Sequence, residues 1–240
     1  MKINYPIRIN KYLALNNYST RKGGDVLIKN GLVFINDKKA ILGDKIEESD
    51  KVTVKENKNK KKYVYYAYNK PIGISTNKEN SGKDILKVTK FLFKVFPIGR
   101  LDKDSHGLII MTNDGRVTDR LLSPKYIHEK EYIVEVKPNF TDKFIKLMSN
   151  GVRFDRYTSK KCKVWAEEIK GKNSNNIFHI ILTEGKRRQI RRMCEALHHE
   201  VIDLKRIRVM NIELKDIPLG KYSEIKKEEL DKFLRLLSLK

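Results

Sequence analysis

The chain has 240 residues, and its 52 Lys and Arg against 30 Asp and Glu give it a formal net charge of +22. A charge of this size most often indicates a polyanionic partner, of which RNA or DNA is the leading class. The sequence contains no apolar run of about 18 residues that would span a bilayer, and its first residues lack the apolar core of a signal peptide. We therefore expect a cytoplasmic protein that binds nucleic acid and does not enter a membrane.

The residue types that commonly hold cofactors or metals are sparse and poorly spaced. Cys162 and Cys194 are too far apart for a zinc motif, and we expect both to be reduced core residues. The histidines, at positions 106, 128, 179, 198 and 199, lack the i, i+4 spacing of a helical metal site. Neither a GxGxxG loop nor a Walker lysine is present. The sequence thus predicts no metal and no cofactor, so any chemistry comes from side chains alone.

A lysine-dominated run at residues 55–62 divides the chain. It is polar and has no hydrophobic period, which is typical of a linker. We predict a small domain at residues 1–56, a linker at 57–62 and a larger domain at 63–240. The lysine run is equally consistent with a solubilising spacer and with a flexible contact to an RNA backbone.

The small domain is predicted to begin with two helices. An apolar stripe that starts at Ile9 indicates the first, and the second runs from the Ser19-Thr20 cap to about Lys29, with Asn30-Gly31 closing it. Short strands are expected after the helices, at residues 33–36 and 51–54.

The larger domain has strands in adjacent groups rather than in strict alternation with helices, which favours an α+β fold with a mixed, largely antiparallel sheet. Its predicted strands lie at residues 63–69, 107–112, 130–136, 161–167 and 177–184. Its predicted helices lie at residues 84–93, 116–122, 141–150, 188–198 and 227–237.

The run Gly99-Arg100-Leu101-Asp102 places a carboxylate two residues from an arginine beside a glycine turn. A carboxylate held by an arginine stays ionised well below neutral pH and is able to act as a nucleophile or base. From the spacing alone, an ordinary ion pair at a strand end explains the same residues. Asp102 is nevertheless the best candidate for a reacting group.

The N-terminal segment resembles the αL RNA-binding motif, in which two helices present basic side chains to structured RNA. The resemblance is carried by residues 8–13, 19–22, 30–36 and 43–46. The matching basic positions are Arg8, Lys11, Arg21 and Lys22. Gly23-Gly24 departs from the motif, and each glycine weakens the second helix by roughly 1 kcal/mol.

The larger domain resembles the ribosomal RNA pseudouridine synthases that carry an αL motif in front. Its matching motifs are Gly99-Arg100-Leu101-Asp102, Lys70-Pro71-Ile72-Gly73, His128-Glu129-Lys130-Glu131-Tyr132 and the segment 185–193. The motifs follow the order of the family, and further matches at 161–164, 208–211 and 217–220 extend the resemblance over nearly the whole chain. Residues 96–105 are most similar to the F-type branch, which acts on 23S rRNA.

The resemblance implies roles for five residues of the catalytic site. Asp102 corresponds to the essential catalytic carboxylate, and Tyr132 to the tyrosine that stacks on the target base. Arg191 is implied to pair with Asp102, and Ile190 to pack near the base. Arg100 either opens the RNA stem or braces the loop of Asp102.

The remaining basic residues are predicted to hold RNA phosphates, which position the substrate without reading its sequence. In the larger domain they are Lys186, Arg187, Arg188 and Arg192. In the small domain they are Arg8, Lys11, Arg21 and Lys22. An amphipathic helix with a solvated basic side explains the residues after Arg188 equally well.

The resulting hypothesis is isomerisation of a specific uridine in 23S rRNA to pseudouridine by a monomeric enzyme without a cofactor. Two alternatives remain open: a synthase of the same family that acts on a different rRNA site, and a non-catalytic ribosome-assembly protein that binds RNA. A base deaminase is disfavoured because the zinc ligands with a neighbouring Glu that such an enzyme uses are missing from the sequence.

Overall fold

In this computed structural model, residues 4–16, 18–55, 62–76, 82–123, 126–167 and 175–239 are described. The chain forms two compact units, of which the first comprises Met1–Tyr63 with Asp114–Asp119 and Leu239. The second comprises Val64–Asn113 and Arg120–Ser238. The linker predicted at 57–62 lies, apart from Lys62, outside the described residues.

The first unit contains two short helices and small antiparallel sheets. Its elements are β1 (Ile7–Arg8), α1 (Ile9–Leu15), α2 (Arg21–Lys29), β2 (Val33–Ile35), β3 (Lys38–Lys39), β4 (Lys45–Ile46) and β5 (Val52–Val54). Strand β1 pairs with β4, and β3, β2 and β5 form a three-stranded sheet. The predicted helices and the strands near 33 and 52 are confirmed.

Helix α2 begins and ends as the sequence predicts. The hydroxyl oxygen of Thr20 accepts a hydrogen bond of 2.9 Å from the N–H of Gly23, which satisfies a free donor of the first turn. Gly24 is buried where α2 meets α1, and a Cβ there would lie 3.3 Å from Leu13 Cδ1 and 3.4 Å from the Asn10 Cα. Gly24 therefore permits close packing of the two helices, and this compensates for its low helix propensity.

The second unit contains one large sheet and a separate two-stranded sheet. Its strands are β6 (Tyr65–Lys70), β7 (Phe96–Ile98), β8 (His106–Thr112), β9 (Lys130–Lys137), β10 (Arg153–Phe154), β11 (Tyr157–Thr158), β12 (Lys163–Ala166), β13 (Ile177–Leu182), β14 (Glu200–Val209), β15 (Ile212–Glu213) and β16 (Tyr222–Glu224). Its helices are α3 (Ile85–Val88), α5 (Asp142–Asn150), α6 (Gln189–Ala196) and α7 (Lys227–Leu236), while α4 (Arg116–Leu122) includes residues of both units.

The strand order in the large sheet is β12-β13-β9-β14-β8-β6-β16, with β15 beside β14 and β7 beside β8. Strand β14 runs parallel to β8, and the other described pairs of this sheet are antiparallel. The predicted α+β class with a mixed, largely antiparallel sheet is confirmed. Helices α5 and α6 pack on one face, where Phe144 and Met193 join Val134 and Phe178 in a buried core.

The structure departs from the prediction most at one helix and one long strand. The helix expected at 84–93 ends at Val88, because Thr89 is extended and its hydroxyl donates a 3.0 Å hydrogen bond to the hydroxyl oxygen of Tyr68. Strand β14, the longest in the described sheet, was not predicted. Its register shifts between Val201 and Asp203 and again between Arg206 and Arg208, and these bulges disrupt the simple alternation that identifies a strand.

Both cysteines are free thiols, as predicted, and Cys194 is fully buried in the core. Burial raises the pKa of Cys162 to about 11. In the parts of the chain that the structure describes, no helix is long and apolar enough to cross a bilayer.

Candidate active site

A cavity of about 670 Å³ lies in the second unit, between the end of β7, strands β9, β13 and β14, and the loop that leads into α6. This volume is typical of a pocket for a small molecule or a single nucleotide. The cavity brings together most of the predicted site residues: Arg100, Asp102, Tyr132, Lys186, Arg187, Arg188 and Ile190. Arg191 and Arg192, which follow on α6, do not line it.

The backbone around Asp102 is held by hydrogen bonds at five consecutive carbonyl groups. The acceptors and their donors are Arg100 O with Arg206 Nη1 (3.5 Å), Leu101 O with Thr76 Oγ1 (2.7 Å), Asp102 O with Ser105 N (3.1 Å), Lys103 O with Gly73 N (2.8 Å) and Asp104 O with Arg191 Nη2 (2.8 Å). The Thr76 hydroxyl also accepts a bond from the N–H of Leu101. Because donors from distant parts of the chain hold this turn, the backbone of Asp102 is held in place at the cavity before substrate arrives.

The side chain of Asp102 is half-buried and faces the cavity. Within the described residues, its carboxylate makes no hydrogen bond and no ion pair. Neither the expected pairing with Arg191 nor an ion pair with Arg100 is found. The cavity is therefore faced by a carboxylate whose oxygens are free to engage a substrate.

Arg191 contacts Asp104 instead. Its Nε lies 3.2 Å from Asp104 Oδ2, its Nη2 donates to the Asp104 carbonyl, and its Nη1 donates to the Val201 carbonyl at 2.9 Å. Arg188 Nη1 reaches the same Oδ2 at 2.9 Å. The predicted pairing of Arg191 with Asp102 is thus wrong for this structure, because the turn directs Asp104 rather than Asp102 toward α6.

Two of the four arginines and lysines predicted to hold phosphates near the cavity already have carboxylate partners. Arg188 pairs with Asp104, and Arg192 pairs with Asp155 while its guanidinium lies 4.8 Å from the Phe154 ring centre. Lys186 and Arg187 are exposed at the cavity mouth, and Lys186 lies 4.6 Å from the Tyr157 ring centre. Phosphate binding by these residues stays a prediction.

Tyr132 and Ile190 form part of the cavity wall. Tyr132 stands on β9, opposite Ile180 of β13 and Arg206 of β14, and its half-buried side chain packs between the two clusters of the core. Ile190, in the first turn of α6, is 4% exposed. An aromatic ring and an apolar side chain on the wall provide surfaces against which a planar base is able to stack.

Several buried polar residues around the cavity were not assigned a role from the sequence. Lys70 is fully buried, and its Nζ donates to the carbonyls of Pro71 (2.9 Å) and Ile74 (2.8 Å). Burial lowers its pKa to about 8, although Asp104 and Asp102 act in the opposite direction. The Lys70-Pro71 motif was a signal for this position, whereas Thr76 and Arg206 carry no signal that a single sequence reveals.

Glu184 ties the basic loop before α6 to the hairpin of β10 and β11. Its carboxylate accepts hydrogen bonds from the Tyr157 hydroxyl, from the Lys160 N–H at 3.1 Å and from Gln189 Nε2 at 2.5 Å. Burial alone would raise the pKa of Glu184, but these hydrogen bonds lower it below its ordinary value of 4.5. The carboxylate therefore stabilises the fold in its ionised form.

We expect Glu184→Ala to lower the free energy of unfolding by about 1–3 kcal/mol, because it leaves three donors without their acceptor. The difference in the free energy of unfolding between the variant and the wild type should narrow as the pH falls through the lowered pKa of Glu184, because the native carboxylate then takes up a proton. Urea unfolding at neutral and acidic pH measures both effects. Glu195→Ala, an exposed change on α6, is the control, and an equal loss in both variants would contradict the role of Glu184.

Comparison with known proteins decides the family. Residues 64–196, which include Asp102, Tyr132 and α6, match the family described as RNA pseudouridylate synthase. The chain belongs to the RNA pseudouridine synthase family. It is therefore an isomerase that modifies RNA, and this favours the enzyme over the non-catalytic alternative.

Individual relatives extend the similarity of this pseudouridine synthase beyond the matched segment. It is 40% identical over 236 residues to the dual-specificity RNA pseudouridine synthase RluF of Escherichia coli K12, covering 96% of this chain and 79% of the relative. It is 33% identical to the ribosomal large subunit pseudouridine synthase B of Bacillus subtilis, covering 96% of each. A crystal structure of a pseudouridylate synthase superposes with a TM-score of 0.67 at 25% identity, covering 94% of this chain and 99% of that one.

The first unit of the synthase carries the other predicted RNA contacts. Arg8 lies on β1, Lys11 on α1, and Arg21 and Lys22 in the first turn of α2; all four side chains are exposed. Within the described residues, none of the four forms an ion pair. Their contact with RNA stays a prediction. The domain bounds assigned from the sequence also stay a prediction.

Within the described residues, no group of three or more His, Cys, Asp and Glu side chains is arranged to hold a metal ion. Two carboxylates line the cavity, Asp102 and Glu184, together with seven cations: Arg100, Lys130, Lys160, Lys186, Arg187, Arg188 and Arg206. The cavity is thus strongly positive, which suits a substrate that carries phosphates.

Proposed function

We propose that this enzyme isomerises a uridine of 23S ribosomal RNA to pseudouridine, with Asp102 as the reacting carboxylate. The observation that carries the proposal is the position of Asp102: a free carboxylate on a fixed turn, facing a cavity of nucleotide size that Tyr132 and Ile190 also line. The large-subunit target is supported by the name of the Bacillus relative, a ribosomal large subunit synthase.

The target base has to leave the RNA stack before it reaches Asp102. Extruding a nucleotide costs a few kcal/mol, and stacking on an aromatic side chain returns about 1–3 kcal/mol per base. Tyr132 on the cavity wall is the residue proposed to supply this stacking. Arg100, exposed at the rim, is proposed to contact the RNA from which the base departs.

The reaction breaks the bond between ribose C1′ and uracil N1 and joins C1′ to uracil C5. Asp102 assists the cleavage as an ionised group, and the detached base turns within the cavity. The product is an isomer of the substrate, so we propose that no cofactor takes part. The turn at residues 100–104 holds the backbone of Asp102 in place at the cavity, so the chain need not be rearranged there when the substrate binds.

The direct test is to incubate the full chain with unmodified 23S rRNA transcript and to map pseudouridine by carbodiimide-dependent primer stops. We expect one new stop that is missing from the untreated transcript. Because the RluF relative is named a dual-specificity enzyme, transfer RNA and 16S rRNA are tested in parallel. Stops confined to either of these RNAs would overturn the 23S assignment, and no stop in any RNA would overturn the proposed function.

RNA affinity should depend steeply on salt, because each lysine or arginine that neutralises a phosphate releases counterions. Replacing Arg8, Lys11, Arg21 and Lys22 together by Gln is expected to reduce the slope of log K against log salt by roughly 0.7–0.9 per residue that contacts RNA. The control replaces four other exposed lysines, Lys143, Lys146, Lys227 and Lys232. Equal slopes for the two quadruple variants would show that the first unit makes no special contact with RNA.

A further inference from the structure

Two cations that line the cavity, Lys130 and Arg206, neighbour Tyr132 in the sheet. Lys130 precedes Tyr132 by two residues on β9, so both side chains project from the same face of the sheet. Arg206 lies directly opposite Tyr132 in the register of β14. Lys130 and Arg206 both line the cavity.

Neither cation has a carboxylate partner in the part of the chain that the structure describes. Lys130 Nζ donates to the His128 carbonyl at 3.2 Å, and Arg206 Nε donates to the Leu108 carbonyl at 2.7 Å. Arg206 is 4% exposed and Lys130 is half-buried. Burial, followed by the charge of Arg206, lowers the pKa of Lys130.

Holding unpaired positive charges away from water is unfavourable unless an anion joins them. The two acids of the cavity are not available for this: Glu184 is bound by Tyr157, Lys160 and Gln189, and Asp102 is the reacting group. Two apolar residues, Leu182 and Val209, lie opposite Lys130 in the neighbouring strands. Such a site suits a planar base that gains negative charge, rather than a phosphate at the exposed mouth.

We propose that Lys130, with Arg206 beside it, stabilises the negative charge that the uracil ring acquires when its bond to the ribose breaks. This inference rests on the proposed function and names the group that acts on the leaving base. When the C1′–N1 bond breaks, its electron pair goes to N1, and the charge is shared with the O2 and O4 oxygens. After C5 has joined C1′, the proton on C5 is lost and N1 takes up a proton, so the product is an isomer of the substrate.

The test compares Lys130→Met with Lys137→Met, a change of an exposed lysine at the end of the same strand. Single-turnover rates and RNA affinity are measured with the RNA that the wild type modifies. We expect Lys130→Met to lower the rate by about 10²-fold, which is typical of losing one group that stabilises developing charge, with no change in the Kd for RNA. Lys130→Arg keeps the charge and should recover most of the rate, and Lys137→Met should match the wild type.

A substrate with 5-fluorouridine at the target position separates this role from a structural one. Fluorine at C5 withdraws electrons and stabilises the uracil anion without help from the protein. The rate on this substrate is measured as the loss of 5-fluorouridine from the RNA. The ratio of the wild-type rate to the Lys130→Met rate should therefore be smaller for 5-fluorouridine than for uridine. A purely structural defect would lower both rates by the same factor, and this result would overturn the inference.

The remaining outcomes are also decisive. A weaker Kd and a lower salt slope with an unchanged rate would assign Lys130 to an RNA phosphate and overturn the inference, while leaving the proposed function intact. A wild-type rate and a wild-type Kd in Lys130→Met would also overturn the inference and leave the proposed function intact. If Lys130→Met does not fold, as judged by thermal unfolding, Lys130→Gln takes its place. A wild-type chain inactive on every RNA would overturn the proposed function, and this inference with it.

Discussion

Asp102→Asn is expected to abolish pseudouridine formation while leaving RNA affinity unchanged. Asn has the same shape, and the turn around it is held by backbone carbonyls that the substitution does not touch. The variant therefore loses the ionised carboxylate and little else. We expect the single-turnover rate to fall by on the order of 10⁴-fold or more, the range seen when a reacting nucleophile is removed.

Asp104→Asn is the matched control, because it changes a carboxylate two residues away in the same turn. It weakens the ion pairs to Arg188 and Arg191. The single-turnover rate should fall much less than in Asp102→Asn, since the Asp104 carbonyl still binds Arg191. Quench-flow assays and filter binding with the same RNA measure the rate and the affinity. If Asp102→Asn kept the wild-type rate and Asp104→Asn lost it, Asp104 would be the reacting residue.

The second large effect concerns stability. Gly107 has a φ of +102°, and a Cβ built on it would lie 2.3 Å from the Arg206 carbonyl oxygen and 2.8 Å from the Arg206 nitrogen. Both are backbone atoms of the parallel pair between β8 and β14, so the clash cannot be relieved by a side-chain movement. We expect Gly107→Ala to lower the free energy of unfolding by about 4 kcal/mol or more, at the exceptional end of single substitutions.

Gly220→Ala separates the clash from the backbone strain. Gly220 also has a positive φ, +75°, but a Cβ there meets no atom within 4 Å. The left-handed conformation alone costs roughly 1–2 kcal/mol for a residue with a side chain. Urea unfolding of both variants measures the difference, and equal losses would show that the contact between β8 and β14 is not as tight as described.

Local signals in the sequence predicted much of the fold. Helix α2 was predicted from its Thr20 cap and the Asn30-Gly31 end, and these local signals match the structure. Long-range contacts account for the errors. The segment after Val88 has a helical pattern, but the buried hydrogen bond from Thr89 to Tyr68 holds it extended. Strand β14 contains bulges and charged residues that become interpretable only next to β8 and β9.

In the candidate site, too, local signals were predictable and long-range contacts were not. The motif around Asp102 indicated one of the two carboxylates that line the cavity, and the alternation of β9 placed Tyr132 on a wall. The partner of Arg191 was not predictable, since it depends on how the turn at residues 102–105 directs two acids that differ by only two positions. Arg206 was also missed, because its role depends on carbonyls that lie about a hundred positions earlier.

The donors that hold the Asp102 turn are spread along the chain from Gly73 to Arg206. A growing chain that has reached the end of α6 already contains Asp102, Tyr132 and Arg191, but not β14. Until β14 is made and inserted between β8 and β9, the Arg100 carbonyl lacks its donor and the cavity lacks one wall. The order of synthesis therefore delays completion of the cavity until the last central strand of the sheet is in place.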